Sequence, residues 1–324
     1  MKFINYKDGE LFLDEVLISD PIDNQIQIRI SSSGVNRADI LQKKGHYPPP
    51  KGESEIIGLE CSGIVEKIGS TVQKFKIGDK VCAILGGGGY AEFVNVDEKQ
   101  AMPIPSTISL LDAGALPETI LTVYENIFNI SQFKKDETIL IHGGSSGIGT
   151  TAISILKNYT KNIFVTAGTD EKCQKCIELG AKDAINYKNS DFENYFLNKK
   201  IKVDVILDMI GGSYLKKNLK ILNFQGRLTF IAALESIKSE VNLLYVMNKQ
   251  LKISGSTLRS RTPEQKGKIV DQVMRDIWPL IEKGDFKPTI YQTFKMEDVN
   301  LAHELMESSN HIGKIILDIK GEQS

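Results

Sequence analysis

The sequence predicts an α/β protein in which a β-rich part precedes a doubly wound, parallel six-stranded sheet. Short strands separated by turns occupy residues 1 to about 115, whereas strands alternate with helices from about 120 to 260. A glycine cluster joins a buried strand to a helix near the start of the alternating part. At 324 residues the chain is long enough for two domains.

The glycine cluster follows Thr138–Ile141, an unbroken apolar run typical of a strand buried on both faces. Its glycines are Gly143, Gly144, Gly147 and Gly149. Beyond them apolar residues recur at helical spacing and predict one apolar stripe: Ile148, Ala152, Ile155, Leu156 and Tyr159. A strand, a glycine turn and a helix in this order place N–H groups at a helix N-terminus, which suits a pyrophosphate. A tight strand–helix corner would show the same glycines.

The β-rich part begins with Gln25–Ile30, whose apolar and polar residues alternate and predict a half-buried strand. Ser32–Gln42 predicts a short helix, and Gly45–Gly52 predicts a stiff loop because it holds three consecutive prolines. Cys61–Ile68 and Lys80–Leu85 predict further strands.

The alternating part contains five more predicted strands, so that the sheet has six, as in the doubly wound dinucleotide fold. They are Asn162–Thr166, Ala184–Asn186, Val203–Met209, Arg227–Ile231 and Leu251–Ile253, with helices at Glu171–Leu179 and Ser213–Leu222. After Pro263 the pattern changes to helical stretches at 264–283 and 297–307 and a strand at Lys314–Ile319. We expect this tail to complete the first domain.

Composition excludes several classes of protein. The formal net charge is -1, from 40 basic and 41 acidic residues, which makes nucleic acid an unlikely partner. No apolar run approaches the roughly 20 residues of a membrane helix. The N-terminus has no signal-peptide pattern, and four cysteines are too few for a disulfide framework. A cytoplasmic location is therefore expected.

The residues after the second strand of the sheet bear on the choice of cofactor. Ala167, Gly168 and Thr169 are small and uncharged where an NAD site usually has an acidic residue. They leave room for a 2′-phosphate that Lys172 would neutralise, although a solvated helix lysine would look the same. Asp170 argues for NAD.

A metal site is not expected. The cysteines are Cys61, Cys82, Cys173 and Cys176, and the histidines are His46, His142, His303 and His311. Structural zinc needs four such ligands, commonly in close pairs, and Cys173 with Cys176 is a pair without a mate. Packed thiols are the better interpretation.

The turn His142–Gly149 also resembles that of short-chain dehydrogenases, which use a Tyr-x-x-x-Lys pair. Tyr195 with Lys199 and Tyr245 with Lys249 have that spacing. Neither pair lies as far beyond the turn as that family places it.

A second resemblance covers nearly the whole chain, from Asn36 to Ile319. Its segments include NRADILQKKGHYPPP, IIGLECSGIVEKIG, GGGGYAEFV, LIHGGSSGIGTTAISI, ILDMIGGSYLKKNL, STLRSR and HIGKIILDI. They resemble the zinc-free quinone oxidoreductase, zeta-crystallin-like branch of the medium-chain dehydrogenase/reductase superfamily, and most of all its tumour-suppressor-inducible subgroup. The resemblance implies a GroES-like catalytic domain at 1–119, an NADPH-binding Rossmann domain at 120–262 and a C-terminal return at 263–324. It also implies homodimers that pair their Rossmann sheets, with the cofactor in the cleft.

The resemblance further implies a set of site residues. Asn36 and Tyr47 correspond to catalytic positions that line the nicotinamide and quinone pocket. The remaining cofactor positions are Thr122, Ser145, Ser146, Gly147, Ile148, Gly168, Lys172, Tyr187, Gly211, Gly212, Ile231, Ala232, Thr257 and Leu258. Zinc alcohol dehydrogenases have Cys where Asn36 stands and His where Leu59 stands, so that only Glu60 of their zinc set is present. The segment 231–234 lacks the family's usual glycine.

Together these residues predict NADPH-dependent, zinc-independent hydride transfer to a quinone, with Asn36, Tyr47 or a water as hydrogen-bond donor. A quinone is easily reduced and does not need a metal electrophile. One alternative is reduction of α,β-unsaturated carbonyls by an enoyl or alkenal reductase. Another is a non-catalytic, NADPH-binding or RNA-associated crystallin-like protein.

Overall fold

The computed structural model describes residues 1–320. Its strands are β1 (Lys2–Lys7), β2 (Glu10–Glu15), β3 (Gln25–Val35), β4 (Glu60–Ile68), β5 (Lys80–Ile84), β6 (Phe93–Asp97), β7 (Ala101–Pro103), β8 (Ile139–His142), β9 (Ile163–Ala167), β10 (Asp183–Asn186), β11 (Val203–Asp208), β12 (Leu222–Phe230), β13 (Lys252–Gly255), β14 (Ile290–Lys295) and β15 (Lys314–Asp318). Its α-helices are α1 (Arg37–Lys43), α2 (Pro117–Val123), α3 (Gly147–Leu156), α4 (Asp170–Leu179), α5 (Phe192–Asn198), α6 (Tyr214–Ile221), α7 (Leu243–Lys249), α8 (Pro263–Asp276), α9 (Trp278–Glu282) and α10 (Val299–Ser308). A π-helix, Tyr124–Ile130, continues α2.

The chain divides into two compact units. Residues 1–121 and the chain from Leu258 onward form the first unit, and Thr122–Thr257 forms the second. The boundaries between the units follow Leu121 and Thr257. The sequence analysis expected the domain boundaries after residues 119 and 262.

The first unit contains a seven-stranded sheet in the order β14-β15-β3-β4-β5-β7, with β6 also paired to β3. The tail enters this sheet through β15, which pairs antiparallel with β3. The expectation that Gln25–Ile30 is a half-buried strand is wrong. β3 is longer and nearly all buried because its polar residues find partners inside the unit: Gln27 bonds to Ser19 O and Asn95, and Ser32 bonds to Ser62.

The second unit contains six parallel strands in the order β10-β9-β8-β11-β12-β13. The chain runs from β8 outward to β10 and then returns to the other side of β8, which is the doubly wound order. The predicted α/β fold class is therefore confirmed. The sequence analysis missed the short helices α5 and α7.

Two helix predictions are corrected. The single apolar stripe predicted beyond the glycine turn is wrong, because every residue of Gly149–Leu156 is buried, the small polar Thr150, Thr151 and Ser154 included. The predicted helix 264–283 is two helices, α8 and α9, with Ile277 between them and Pro279 at the start of the second. Within residues 1–320, none of the helices has the length and apolar character that crossing a membrane requires.

Candidate functional site

The predicted cofactor residues of the second unit, apart from Thr122, follow the carboxyl ends of its parallel strands. The turn 143–148 follows β8, and Gly168 and Lys172 follow β9. Tyr187 follows β10, and the remaining positions follow β11, β12 and β13: Gly211, Gly212, Ile231, Ala232 and Thr257. Because parallel strands end at the same edge of a sheet, the fold collects these residues where doubly wound proteins bind ligands.

The glycine turn after β8 has little room for side chains. A Cβ on Gly149 would lie 2.4 Å from Gly143 O, and Gly143 has a φ of 75°. Ser146 caps α3, because its side chain accepts a hydrogen bond from Gly149 N at 3.0 Å. The next first-turn N–H groups, those of Gly147 and Ile148, have no acceptor within an ideal helix. The turn is thus a tight corner whose N–H groups also suit a pyrophosphate.

The residues after β9 and β10 lie close together and include two lysines, Lys172 and Lys188; this group with Gly168 and Tyr187 is here named the basic pocket. A Cβ on Gly168 would lie 2.7 Å from the hydroxyl oxygen of Tyr187, so this tyrosine packs against the glycine backbone. The pKa of Lys172 is lowered by burial and, to a smaller extent, by the nearby charge of Lys188. Asp170, the residue that argued for NAD, accepts a hydrogen bond from Asn186 Nδ2 at 2.7 Å. Lys188 was missed by the sequence analysis, although it directly follows Tyr187.

A buried polar chain connects the glycine turn with the turn after β11. His142 Nε2 lies 2.8 Å from Asn218 Oδ1, and Asn218 Nδ2 donates to Asp208 Oδ2 at 2.9 Å. Asp208 Oδ1 accepts from the N–H groups of Ile210 and Gly211. Burial lowers the pKa of His142, so the imidazole is neutral near pH 7. The sequence analysis considered His142 as a metal ligand and as the first residue of the glycine turn, whereas its side chain connects the end of β8 with the turn after β11.

Thr122 is the first residue of the second unit and Thr257 is the last. Hydrogen bonds of neighbouring residues connect them. Asn126 Nδ2 donates to Thr122 O at 2.9 Å, and Ser256 Oγ donates to Asn126 Oδ1 at 2.8 Å. Thr122 is in α2, Asn126 is in the π-helix that continues it, and Ser256 directly follows β13. They place the first and last predicted cofactor residues of the unit close to one another.

In the first unit, the half-buried Asn36 and the buried Glu60 and Lys314 form a cluster, here named the Asn36 cluster. The Lys314 ammonium donates to Asn36 Oδ1 and to Glu60 Oε1, both at 2.7 Å. Asn36 Nδ2 donates to Glu60 Oε1 at 2.9 Å and to Gly34 O at 3.2 Å. Lysine only donates and an ionised carboxylate only accepts, so the orientation of the amide is fixed. Both N–H bonds of the Asn36 amide are therefore used within the fold.

The Asn36 cluster does not suit zinc. Lys314 already brings a positive charge to Glu60, and the neighbouring Leu59 is buried and has no donor atom. Across residues 1–320, no group of three His, Cys, Asp or Glu side chains could hold a metal ion. All four cysteines are buried free thiols, as the packed-thiol interpretation expects, and burial raises the pKa of each.

A second buried chain runs from Asn36 to α10. Asp39 Oδ2 accepts from Asn36 N at 2.7 Å and from the Tyr90 hydroxyl at 3.0 Å, and that hydroxyl lies 3.2 Å from His303 Nε2. Burial raises the pKa of Asp39 to about 7, against the opposing effect of these hydrogen bonds. Burial lowers the pKa of His303 to about 3, so that it is neutral.

Tyr47 lies in the loop after α1 and is half-buried. Burial and the charge of Glu118 raise the pKa of its phenol, so the hydroxyl remains a hydrogen-bond donor throughout the neutral range. Its backbone carbonyl accepts a hydrogen bond from Arg259, and Leu258 beside that arginine is buried. The sequence analysis quoted STLRSR without assigning a role to this arginine.

The two Tyr-x-x-x-Lys pairs have structural partners. The Tyr195 hydroxyl donates to Asp183, and its pKa is raised, first by burial, which is opposite to the need of a catalytic base. Lys249 donates to three backbone carbonyls at the C-terminal end of α6. They are those of Leu219 and Lys220 in its last turn and of Leu222, which directly follows it. Neither pair therefore supports a short-chain dehydrogenase site.

The doubly wound sheet and its glycine turn are the arrangement found in dinucleotide-binding proteins. Residues 22–106 match the model of the alcohol dehydrogenase GroES-like domain, and residues 179–317 match that of zinc-binding dehydrogenases. The chain is 30% identical over 312 residues to quinone oxidoreductase of Rattus norvegicus, covering 94% of this chain and 92% of the relative. The chain belongs to the medium-chain dehydrogenase/reductase superfamily, with quinone oxidoreductases among its relatives.

Two solved structures agree with this assignment. Escherichia coli quinone oxidoreductase complexed with NADPH superposes with a TM-score of 0.86 at 28% identity, covering 98% of this chain and 99% of that one. CurK enoyl reductase superposes with a TM-score of 0.87 at 22% identity and 98% coverage of both chains, which shows a shared fold alone. The protein is thus an oxidoreductase of this superfamily that uses a nicotinamide cofactor.

Proposed function

We propose that the protein is a zinc-independent, NADPH-dependent quinone oxidoreductase. The observation that carries the proposal is the Asn36 cluster, in which the Lys314 ammonium binds the Glu60 carboxylate at 2.7 Å. Without ligands for a metal electrophile, the site suits an acceptor that is already easily reduced. A quinone meets this need because its reduced product is aromatic. The rat and Escherichia coli relatives are named for the same substrate class.

The preference for NADPH rests on the basic pocket of the second unit. Lys188 is close enough for its charge to lower the pKa of Lys172, and a bound phosphate would relieve that repulsion. Asp170 is held by Asn186. Tyr187 would pack beside the ribose at Gly168, and the N–H groups of Gly147 and Ile148 would hold the pyrophosphate.

The bound reduced nicotinamide supplies a hydride, and the protein's own residues orient the acceptor and stabilise the oxyanion. Addition of the hydride turns the quinone into a hydroquinone anion, which takes one proton from water. Tyr47 is the better donor to this anion, because both N–H bonds of the Asn36 amide are already used. We assign Asn36 the role of fixing the start of α1, where its backbone N–H donates to Asp39 Oδ2 at 2.7 Å.

Steady-state kinetics with an acceptor panel tests the proposal. NADPH and NADH are each offered with benzoquinones, naphthoquinones, enals and enones, and the hydroquinone product is identified. Quinone reduction with NADPH, unaffected by chelators and with less than stoichiometric zinc by elemental analysis, is expected. Activity that depends on stoichiometric zinc contradicts the proposal.

The same panel separates the two alternatives. Reduction of enals or enones without reduction of quinones would indicate an alkenal reductase. NADPH binding without turnover of any acceptor would indicate a non-catalytic protein, and salt-sensitive RNA binding would extend that interpretation.

A second copy of the chain is the proposed partner. The edge strand β13 and helix α7 expose apolar side chains, with Leu243 65%, Leu244 60% and Met247 62% exposed. Exposed edges and apolar patches of this kind mark interaction sites. Light scattering should find a dimer, and Leu244→Asp should shift it toward monomer if the edge pairs. The four buried free thiols support a cytoplasmic location, which cell fractionation tests.

A further inference from the structure

The prolines of the loop Gly45–Gly52, here named the acceptor loop, limit how its backbone can be held. Pro48, Pro49 and Pro50 have no N–H group, so this part of the loop cannot donate to a neighbouring strand. It has to be held through its carbonyls or through side chains. Tyr47 directly precedes the three prolines, so its position depends on such contacts.

Arg259 supplies the contact. Its side chain is 4% exposed and reaches three separate segments of the first unit. Nε donates to Gly86 O at 2.8 Å, Nη1 donates to Tyr47 O at 2.9 Å, and Nη2 donates to Gln42 Oε1 at 2.6 Å. The guanidinium carbon also lies 5.2 Å from the centre of the Tyr47 ring, within cation–π distance.

The residues that follow the acceptor loop contact Gln42 and the glycine stretch, both of which Arg259 also bonds. Gln42, oriented by Arg259, donates through Nε2 to Glu55 O at 2.8 Å. A Cβ on Gly86 would lie 2.2 Å from the Glu53 carboxyl carbon, and a Cβ on Gly87 would lie 2.2 Å from Ser54 O. The glycine stretch and Arg259 therefore hold the residues that follow the prolines as well as the one before them.

Burying this charge is costly for the fold. The three hydrogen bonds of Arg259 go to neutral oxygens, and burial lowers the pKa of its guanidinium. Because no carboxylate bonds to Arg259, no ion pair offsets the cost of removing its charge from water, and stabilising the fold does not explain its burial. The planar guanidinium bonds three segments at once, and the single ammonium of a lysine cannot reproduce that geometry.

We propose that Arg259 is a positioning residue that fixes Tyr47 against the acceptor, and the proposal rests on the proposed reductase function. Arg259 acts on both parts of Tyr47, through the carbonyl and through the ring face. A displacement of about 1 Å at a positioning contact can cost about 100-fold in rate. Arg259→Lys should therefore lower kcat/KM for quinone by about 10- to 100-fold, mainly through KM. The dissociation constant of NADPH should change less than about threefold, because the basic pocket is in the second unit.

A double-mutant cycle tests whether Arg259 acts through Tyr47. Arg259→Lys is measured in the wild-type and in the Tyr47→Ala backgrounds, with the exposed Arg275→Lys as the matched control. The loss should shrink to less than about threefold when Tyr47 is already absent. An equal loss in both backgrounds would overturn the proposal and leave Arg259 a structural residue. Thermal unfolding shows whether each variant folds. If Arg259→Lys does not fold, Arg259→Gln takes its place in the cycle.

Amide hydrogen exchange tests the same contact without turnover. Exchange at residues 45–47 should accelerate in Arg259→Lys and remain unchanged in Arg275→Lys. Unchanged exchange in both would overturn the proposal even if the wild type reduced no acceptor. Failure of the reductase function is seen separately, as a wild type that reduces neither quinones nor enals.

Discussion

Replacing Lys172 by alanine should separate the two nicotinamide cofactors. Lys172 lies in the first turn of α4, is half-buried and is near the exposed Lys188. A hydrogen bond to a charged group contributes about 1.5–3 kcal/mol, and solvent screening at a half-buried site favours the lower end. The expected loss of about 1.5 kcal/mol corresponds to roughly a tenfold weaker binding of NADPH.

Fluorescence titration of NADPH and NADH against wild type and Lys172→Ala measures this effect. NADH, which has no 2′-phosphate, should bind both proteins equally. Lys175→Ala is the matched control, because Lys175 is exposed on the same helix and pairs with Glu178. Lys188→Ala should weaken NADPH less, since its side chain is exposed.

Two results would refute the reasoning. Equal weakening of both cofactors would mean that Lys172 supports the fold of the pocket and not the phosphate. Tighter binding of NADH than NADPH by the wild type would mean that Asp170, despite its bond to Asn186, still accepts from a ribose hydroxyl.

Three further predictions concern the first unit. Tyr47→Phe should lower quinone turnover by less than about tenfold, because quinones need little electrophilic help, whereas Tyr47→Ala should raise KM for quinone more than it changes NADPH affinity. Wild-type kinetics in both would remove Tyr47 from the site. Lys314→Met should lower the free energy of unfolding by about 3–5 kcal/mol in denaturant titrations, because it leaves the Glu60 carboxylate buried without a cation; a loss no larger than that of the exposed Lys67→Met, under about 1 kcal/mol, would disprove this. Asp39 has a folded-state pKa of about 7, above its ordinary 3.8, so the folded protein binds more protons and stability falls as pH rises from about 4 to 7. Asp39→Asn should reduce that slope in unfolding curves, and an unchanged slope would assign it to other groups.

Local patterns were enough to predict most of the second unit. A buried strand, a glycine turn and a helix are signals that lie within a few residues of one another, and each can be read from a short stretch of sequence. The order of strands and helices then restricts a parallel sheet to few topologies. The carboxyl edge, and with it the positions of Gly168 and Lys172, follows from that order. Lys188 escaped notice because an exposed lysine after a strand has no periodic signal.

Short elements were predicted less well because their sequence signal is weak. α5 and α7 have seven residues each, too few for a helical period to be distinct. The burial of β3 was missed for another reason, since alternation of polar residues predicts exposure only when those residues lack partners. Ser32 is buried because Ser62 on the neighbouring strand and the carbonyl of Leu111 bond to it.

The sequence by itself determined the two kinds of secondary structure, the glycine turn and the residue types from which the family resemblance follows. Only the tertiary structure decided what Asn36 and Tyr47 can do. Lys314 is 278 positions from Asn36, and Arg259 is 212 positions from Tyr47. No periodicity reports contacts across such distances, because they exist only after the tail has paired β15 with β3 and returned the C-terminal residues to the first unit. Those contacts occupy the amide oxygen of Asn36 and fix the backbone carbonyl of Tyr47.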